Sequence, residues 1–116
     1  MLESKTISST LISSGYPEGW NSSNYQRIGL TDSQHRINET KLGAFMDLMS
    51  YEDVRVSFKT ANRFYFYLEY PNGTIVDLPG NNTKGIVPSD HDHLVSVRRI
   101  VIYNSKIVSM VLQLWD

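Results

Sequence analysis

Apolar and polar positions alternate most strongly toward the end of the chain. Residues 94–115 form two β-branched runs separated by Asn104-Ser105, the pattern of a hairpin closed by a two-residue turn. In that register Tyr103 faces Lys106. One face carries Val95, Val97, Val101, Val108, Met110, Leu112 and Leu114 and reads as a core face. Arg99 falls on it opposite Met110, where a guanidinium must reach the rim or find partners. The other face includes Leu94, Arg98, Ile100, Ile102, Ile107, Val111 and Trp115. It is half apolar, which predicts cover by a helix, a loop or a second subunit.

Earlier in the chain, residues 54–59 alternate apolar and polar and predict a half-buried strand. Residues 63–70 are almost pure β-formers. Pro71-Asn72-Gly73 supplies turn chemistry, and residues 74–78 return from it before Pro79-Gly80. A three-residue loop there puts Phe64, Phe66, Leu68, Val76 and Leu78 on a core face. Tyr65, Tyr67, Glu69, Ile75 and Asp77 share the other, with Asp77 across from Tyr67. Residues 6–13, β-branched and weakly alternating, predict an edge strand. Residues 15–29 read as an ordered loop holding Tyr16, Trp20 and Tyr25. A single helix is predicted where Leu42, Phe45, Met46 and Met49 recur at i, i+3, i+4 and i+7, capped by Asn38 or Thr40.

These elements predict one β-rich domain over residues 1–116: an antiparallel β-sandwich or barrel-like fold with one short helix. The alternative is an α+β fold with the helix packed on an antiparallel sheet. The chain of 116 residues has 41% hydrophobic and 20% charged residues and a formal charge of −1. That balance gives no field to draw nucleic acid, and no apolar run is long enough to span a membrane. Cysteine is absent, which removes thiol nucleophiles, thiolate metal sites and disulfides. It fits a reducing compartment, cytoplasmic or virion-associated. Asn21, Asn38, Asn72 and Asn81 each open an N-glycosylation pattern, which would matter in a secreted protein.

Candidate chemistry is sparse. Neither a nucleophile elbow nor a glycine-rich phosphate loop is present, so no catalytic residue is assigned. The segment Asp90-His91-Asp92-His93 places two imidazoles at i, i+2, on one face of an extended chain. With Gly85 six residues before His91, it resembles the opening of the cupin pattern. The chain departs from that pattern afterwards: residues 95–98 hold no glutamate, and no histidine follows His93, so a third ligand would have to be His35 upstream. Solvated histidines in a polar turn are the reading preferred here, with no metal and no cofactor. The more promising surface is Tyr65, Tyr67, Glu69 and Asp77, extended by Trp20. Flat aromatic faces beside carboxylates suit a sugar ring, and they equally suit a protein partner.

The expectation is therefore a non-enzymatic recognition domain, lectin-like, that binds carbohydrate or protein as a homo-oligomer. The alternatives are a small cupin-like metalloprotein using His91 and His93, and a structural or protein-interaction subunit, such as a phage assembly protein or an antitoxin-like partner.

Overall fold

The computed structural model describes residues 2–32 and 35–116, with side chains from Lys5 onward. Four strands form one antiparallel sheet in the order β2-β1-β4-β3. They are β1 (Arg63–Glu69), β2 (Thr83–Gly85), β3 (Leu94–Tyr103) and β4 (Lys106–Trp115). Three short helices add to the core: α1 (Leu2–Leu11), α2 (Glu39–Gly43), which continues as a π-helical turn over Ala44–Leu48, and α3 (Tyr51–Phe58).

The β3–β4 hairpin has the register its sequence predicts. Tyr103 pairs with Lys106 and Arg99 with Met110. Asn104 and Ser105 take φ values of 51° and 64°, and positive φ at both central residues is what the twist of a two-residue hairpin demands. Arg99 keeps its place on the core face by reaching out of it. Its Nε donates to Ser8 Oγ at 3.1 Å and its Nη2 to Ser9 Oγ at 3.2 Å, both on α1. Pairing of β1 with β4 sets Phe64 beside Leu114, Phe66 beside Leu112 and Leu68 beside Met110. The helices cover this face. Phe45 meets Phe66 edge-on at 5.0 Å, Tyr51 stacks on Phe64 at 4.8 Å, and Phe58 closes on Phe64 at 5.4 Å.

Among the described residues the sheet is neither closed nor faced by a second sheet. The sandwich or barrel expectation is therefore not met, and the arrangement follows the alternative of helices laid on an antiparallel sheet, with three helical segments rather than one. Two predicted strands are helices. Residues 6–13 belong largely to α1, where Ile7 and Leu11 point inward four residues apart. The Ser8 and Thr10 hydroxyls bond the Lys5 and Thr6 carbonyls at 3.0 Å each, the local bond by which Ser and Thr hydroxyls find a partner inside a helix. Residues 54–58 belong to α3, opened by Ser50, whose side chain accepts the Asp53 N–H, and ended by Lys59 in the left-handed region. Val54 and Phe58 lie four apart, a spacing common to strand and helix periods. Val56 distinguishes the two: a strand would bury it, and it is 73% exposed.

The helix at 42–49 forms as predicted, with Leu42, Phe45, Met46 and Met49 all buried. Asn38 is its N-cap. The Asn38 Oδ1 makes the cap while its Nδ2 donates to Asp32 at 3.1 Å, so a glycan on that nitrogen would compete with the Asp32 bond and leave the cap oxygen in place. After the turn at 71–73 the return segment leaves β1 early. It keeps one bridge, Glu69 to Ile75, and Leu78 N–H turns instead to Asn82 Oδ1 at 2.7 Å. Val76 and Leu78 still enter the core, while β2 takes the place beside Tyr65–Tyr67. Among the described residues, no helix is long and apolar enough to cross a membrane.

Candidate functional site

The face of the sheet away from the helices is built in rows across β1, β4 and β3. Tyr65, Gln113 and Ser96 form one row; Tyr67, Val111 and Arg98 the next; Glu69, Ser109 and Ile100 the third. Ile107 and Ile102 follow at the hairpin end. The opposite end is covered. Trp115 is buried, with its indole N–H donated to the Ile86 carbonyl at 3.0 Å, the Arg63 guanidinium 5.0 Å over its ring and the His91 ring 6.3 Å away. From Tyr65 to Ile107 no described residue outside the sheet is seen against the face. Ile100 and Ile107 stand 62% and 63% exposed.

Polar groups on this face are paired with one another. Arg98 reaches over β4 to Glu69 at 2.5 Å, and Gln113 donates to Ser96 at 3.1 Å. The Tyr65 and Tyr67 rings lie 5.4 Å apart, tilted by 50°. Burial lifts the Tyr67 hydroxyl above its ordinary pKa, and the nearby Glu69 carboxylate adds to the rise. The phenol is therefore a neutral hydrogen-bonding group at physiological pH. Val111 is buried between Tyr67 and Arg98, so these long side chains fold over the sheet rather than standing free of it.

Tyr65, Tyr67 and Glu69 thus come together as predicted, and two other residues do not join them. Asp77 belongs to the segment that leaves β1, so Thr83 stands across from Tyr67 instead. Its carboxylate faces Asn82 at 3.4 Å. Trp20 is only 3% exposed and donates its indole N–H to the Gly29 carbonyl at 2.8 Å, with Tyr25 edge-on to its ring. It is a core residue of the loop. Arg98, Ile100 and Ile107 complete the open face and were not among the predicted ligand-binding residues. Their hairpin register already put them on one side. What was missing was the pairing of β1 with β4, which brings the tyrosines alongside.

The histidine segment is an exposed turn before β3. His91 Nδ1 contacts the Ser89 carbonyl, and His93 pairs with Asp116 through both its backbone N–H, at 2.8 Å, and its ring, at 3.0 Å. His35 lies at the far end of β3, where its carbonyl accepts the Ile102 N–H. The intervening strand separates it from His93 by roughly 30 Å, so the three histidines do not form one ligand set. Hydrogen bonds from His93 hold the Asp116 carboxyl below its ordinary pKa of 3.8. A carboxyl lowered in this way adds stability above the unfolded value, and that stability is lost as pH falls through the folded one. The melting-temperature gap between wild type and Asp116→Asn should accordingly be small and positive at neutral pH. It should shrink as the pH falls below the ordinary carboxyl value and vanish once the folded-state carboxyl is protonated too, as thermal scans across the pH series would show.

A small cleft of about 210 Å³ lies beside the π-helical turn, lined by Leu42, Met46, Leu78 and Pro79, with Glu39, Asp47 and Tyr103 among its polar groups. Asp47 accepts the Asn81 N–H at 2.8 Å. Lys84 reaches the Met46 and Met49 carbonyls that end the turn, and burial lowers its pKa. The volume falls short of the roughly 300 Å³ at which small-molecule pockets begin, and one of its two carboxylates, Asp47, already has a structural partner. No protein-family model matches the chain, and no curated protein or solved structure is detectably similar to it.

Proposed function

We propose that this chain is a non-enzymatic recognition module that binds a protein partner through the open face of its sheet. The observation that carries this reading is the combination on that face of Tyr65, Tyr67, Arg98, Ile100 and Ile107, none of them covered by the helices. Tyrosine and arginine are the residues that dominate binding energy in protein interfaces. Two isoleucines exposed beside them offer apolar area to bury. A carbohydrate site would want a free carboxylate next to the tyrosine rings. Here Glu69 is held by Arg98, and Asp77 lies with Asn82, which favours a protein over a sugar.

The test is site-specific photo-cross-linking, with the photoreactive residue at Tyr65 or Ile107 and a control at Asn72 on the exposed turn. The expected result is one protein captured from both face positions and not from the turn, with affinity for it reduced about tenfold or more by Tyr67→Ala or Arg98→Ala. A glycan-array signal abolished by Tyr67→Ala would overturn the protein reading in favour of the sugar one.

A further inference from the structure

Strand β3 is an edge strand, and part of its outer edge is already taken. Ile102 donates its N–H to the His35 carbonyl at 2.9 Å and accepts the Ile37 N–H at 2.7 Å, so its backbone groups point away from β4. At the other end, the His93 carbonyl accepts the Asp116 N–H at 3.3 Å and therefore points toward β4. Backbone direction alternates along a strand. Leu94, Ser96, Arg98 and Ile100 consequently turn their N–H and C=O groups outward, and no described residue pairs with them. Among the described residues the free window runs from Leu94 to Ile100, bounded by the segment 35–37 on one side and the Asp116 contact on the other. Its midpoint is Val97.

An unprotected edge of this length is a template for another strand. We infer that it is filled by the same edge of a second copy of the chain, antiparallel about a two-fold axis through Val97. That register sets Leu94 against Ile100 of the second copy and Ser96 against Arg98, each twice. The outward-facing residues form four pairs, each able to exchange two hydrogen bonds. Side-chain chemistry selects the same register. Leu94 and Ile100, both exposed apolar residues of this edge, become cross-strand neighbours. Arg98 stands against a serine and Arg99 against Val95. A shift of the pairing by one hydrogen-bonded position toward Ile102 would oppose Arg98 to its own copy and collide with the segment 35–37. A shift the other way leaves Ile100 unpaired. The net charge of −1 opposes self-association only weakly. The product is a continuous sheet of two sets of four strands. The inference does not depend on what the open face binds.

The absence of cysteine allows a direct test. Val97 would meet its own copy in a pair not linked by hydrogen bonds, where Cα atoms stand about 4.5 Å apart, within disulfide range. Mild oxidation of Val97→Cys should therefore give a covalent dimer, while Val95→Cys, which faces Arg99, should give little. Sedimentation of the wild type should show a concentration-dependent dimer. Ser96→Pro, which removes an outward N–H that a monomer does not use, should abolish it while preserving the circular dichroism spectrum. A wild type that stays monomeric up to several hundred micromolar overturns the inference. So does a dimer in which Val97→Cys cross-links no better than Val95→Cys. If Ser96→Pro does not fold, this cysteine comparison decides alone.

Discussion

Replacing Gly29 by alanine should destabilise the protein by about 4 kcal/mol, the range reserved for a forced backbone movement. A Cβ at this position would lie 2.1 Å from Gly15 N, 2.4 Å from the Ser13 carbonyl oxygen and 2.6 Å from the Ser14 carbonyl carbon. All three are backbone atoms that cannot rotate aside. They also belong to a bonded crossing. Leu30 N–H goes to the Leu11 carbonyl at 2.8 Å, Thr31 N–H to the Ser13 carbonyl at 3.2 Å, and the Gly29 carbonyl holds the Trp20 indole. Separating the two segments would strain the end of α1 and the seat of Trp20 together. Gly43 is the control. A Cβ there meets nothing within 4 Å, and Gly43→Ala should be neutral or stabilise by up to about 1 kcal/mol through helix propensity. Urea titration of both variants checks the pair; equal midpoints would contradict the crossing described here.

Phe66→Ala should cost about 3–5 kcal/mol, while Tyr65→Ala, one residue away, should cost less than about 1 kcal/mol. Phe66 is fully buried, edge-on to Phe45 and beside Leu112 at the middle of the sheet. Truncating it leaves a void walled by residues from the π-helical turn, β1 and β4 that the surroundings can only partly fill. Tyr65 lies on the open face beside Gln113 and Tyr67, where water replaces much of what the ring covers. Chemical denaturation of the two variants reads the side of the sheet directly. Similar losses for both would mean that the face assigned as open is covered.

Much of the sheet was legible because its strands are long and end in turns of defined chemistry. The β3–β4 register followed from Asn104-Ser105 alone, and the inward rows of β1 and β4 followed from period-two alternation. Short helices were harder to read. Ile7 and Leu11 are separated by polar residues with β-branched neighbours, and Val54 with Phe58 satisfies both periods at once. Ser50 three residues before Asp53 was a readable helix-start signal for α3, and it outweighs the alternation that follows. For the open face, Tyr65, Tyr67 and Glu69 were found from strand parity. Arg98 could not be joined to them, because a hairpin fixes its own neighbours and leaves strand order undetermined. Asp77 was misplaced for a related reason: a turn predicts that the chain comes back, not how long it stays paired.

The sheet order also bears on how the protein is made. β1 lies between β2 and β4, and its seven-residue pairing is with β4, synthesised about forty residues later. Such long-range pairing must wait for the intervening chain. As it leaves the ribosome, the run Phe64-Tyr65-Phe66-Tyr67-Leu68 has the three residues of β2 and the single bridge near Ile75 for strand partners among the described residues until residues 106–115 emerge. Through that interval it is an apolar, β-prone segment with little to hold it. The arginine before it and the glutamate after it, Arg63 and Glu69, flank it as charges of the kind that limit aggregation of an unavoidable apolar strand.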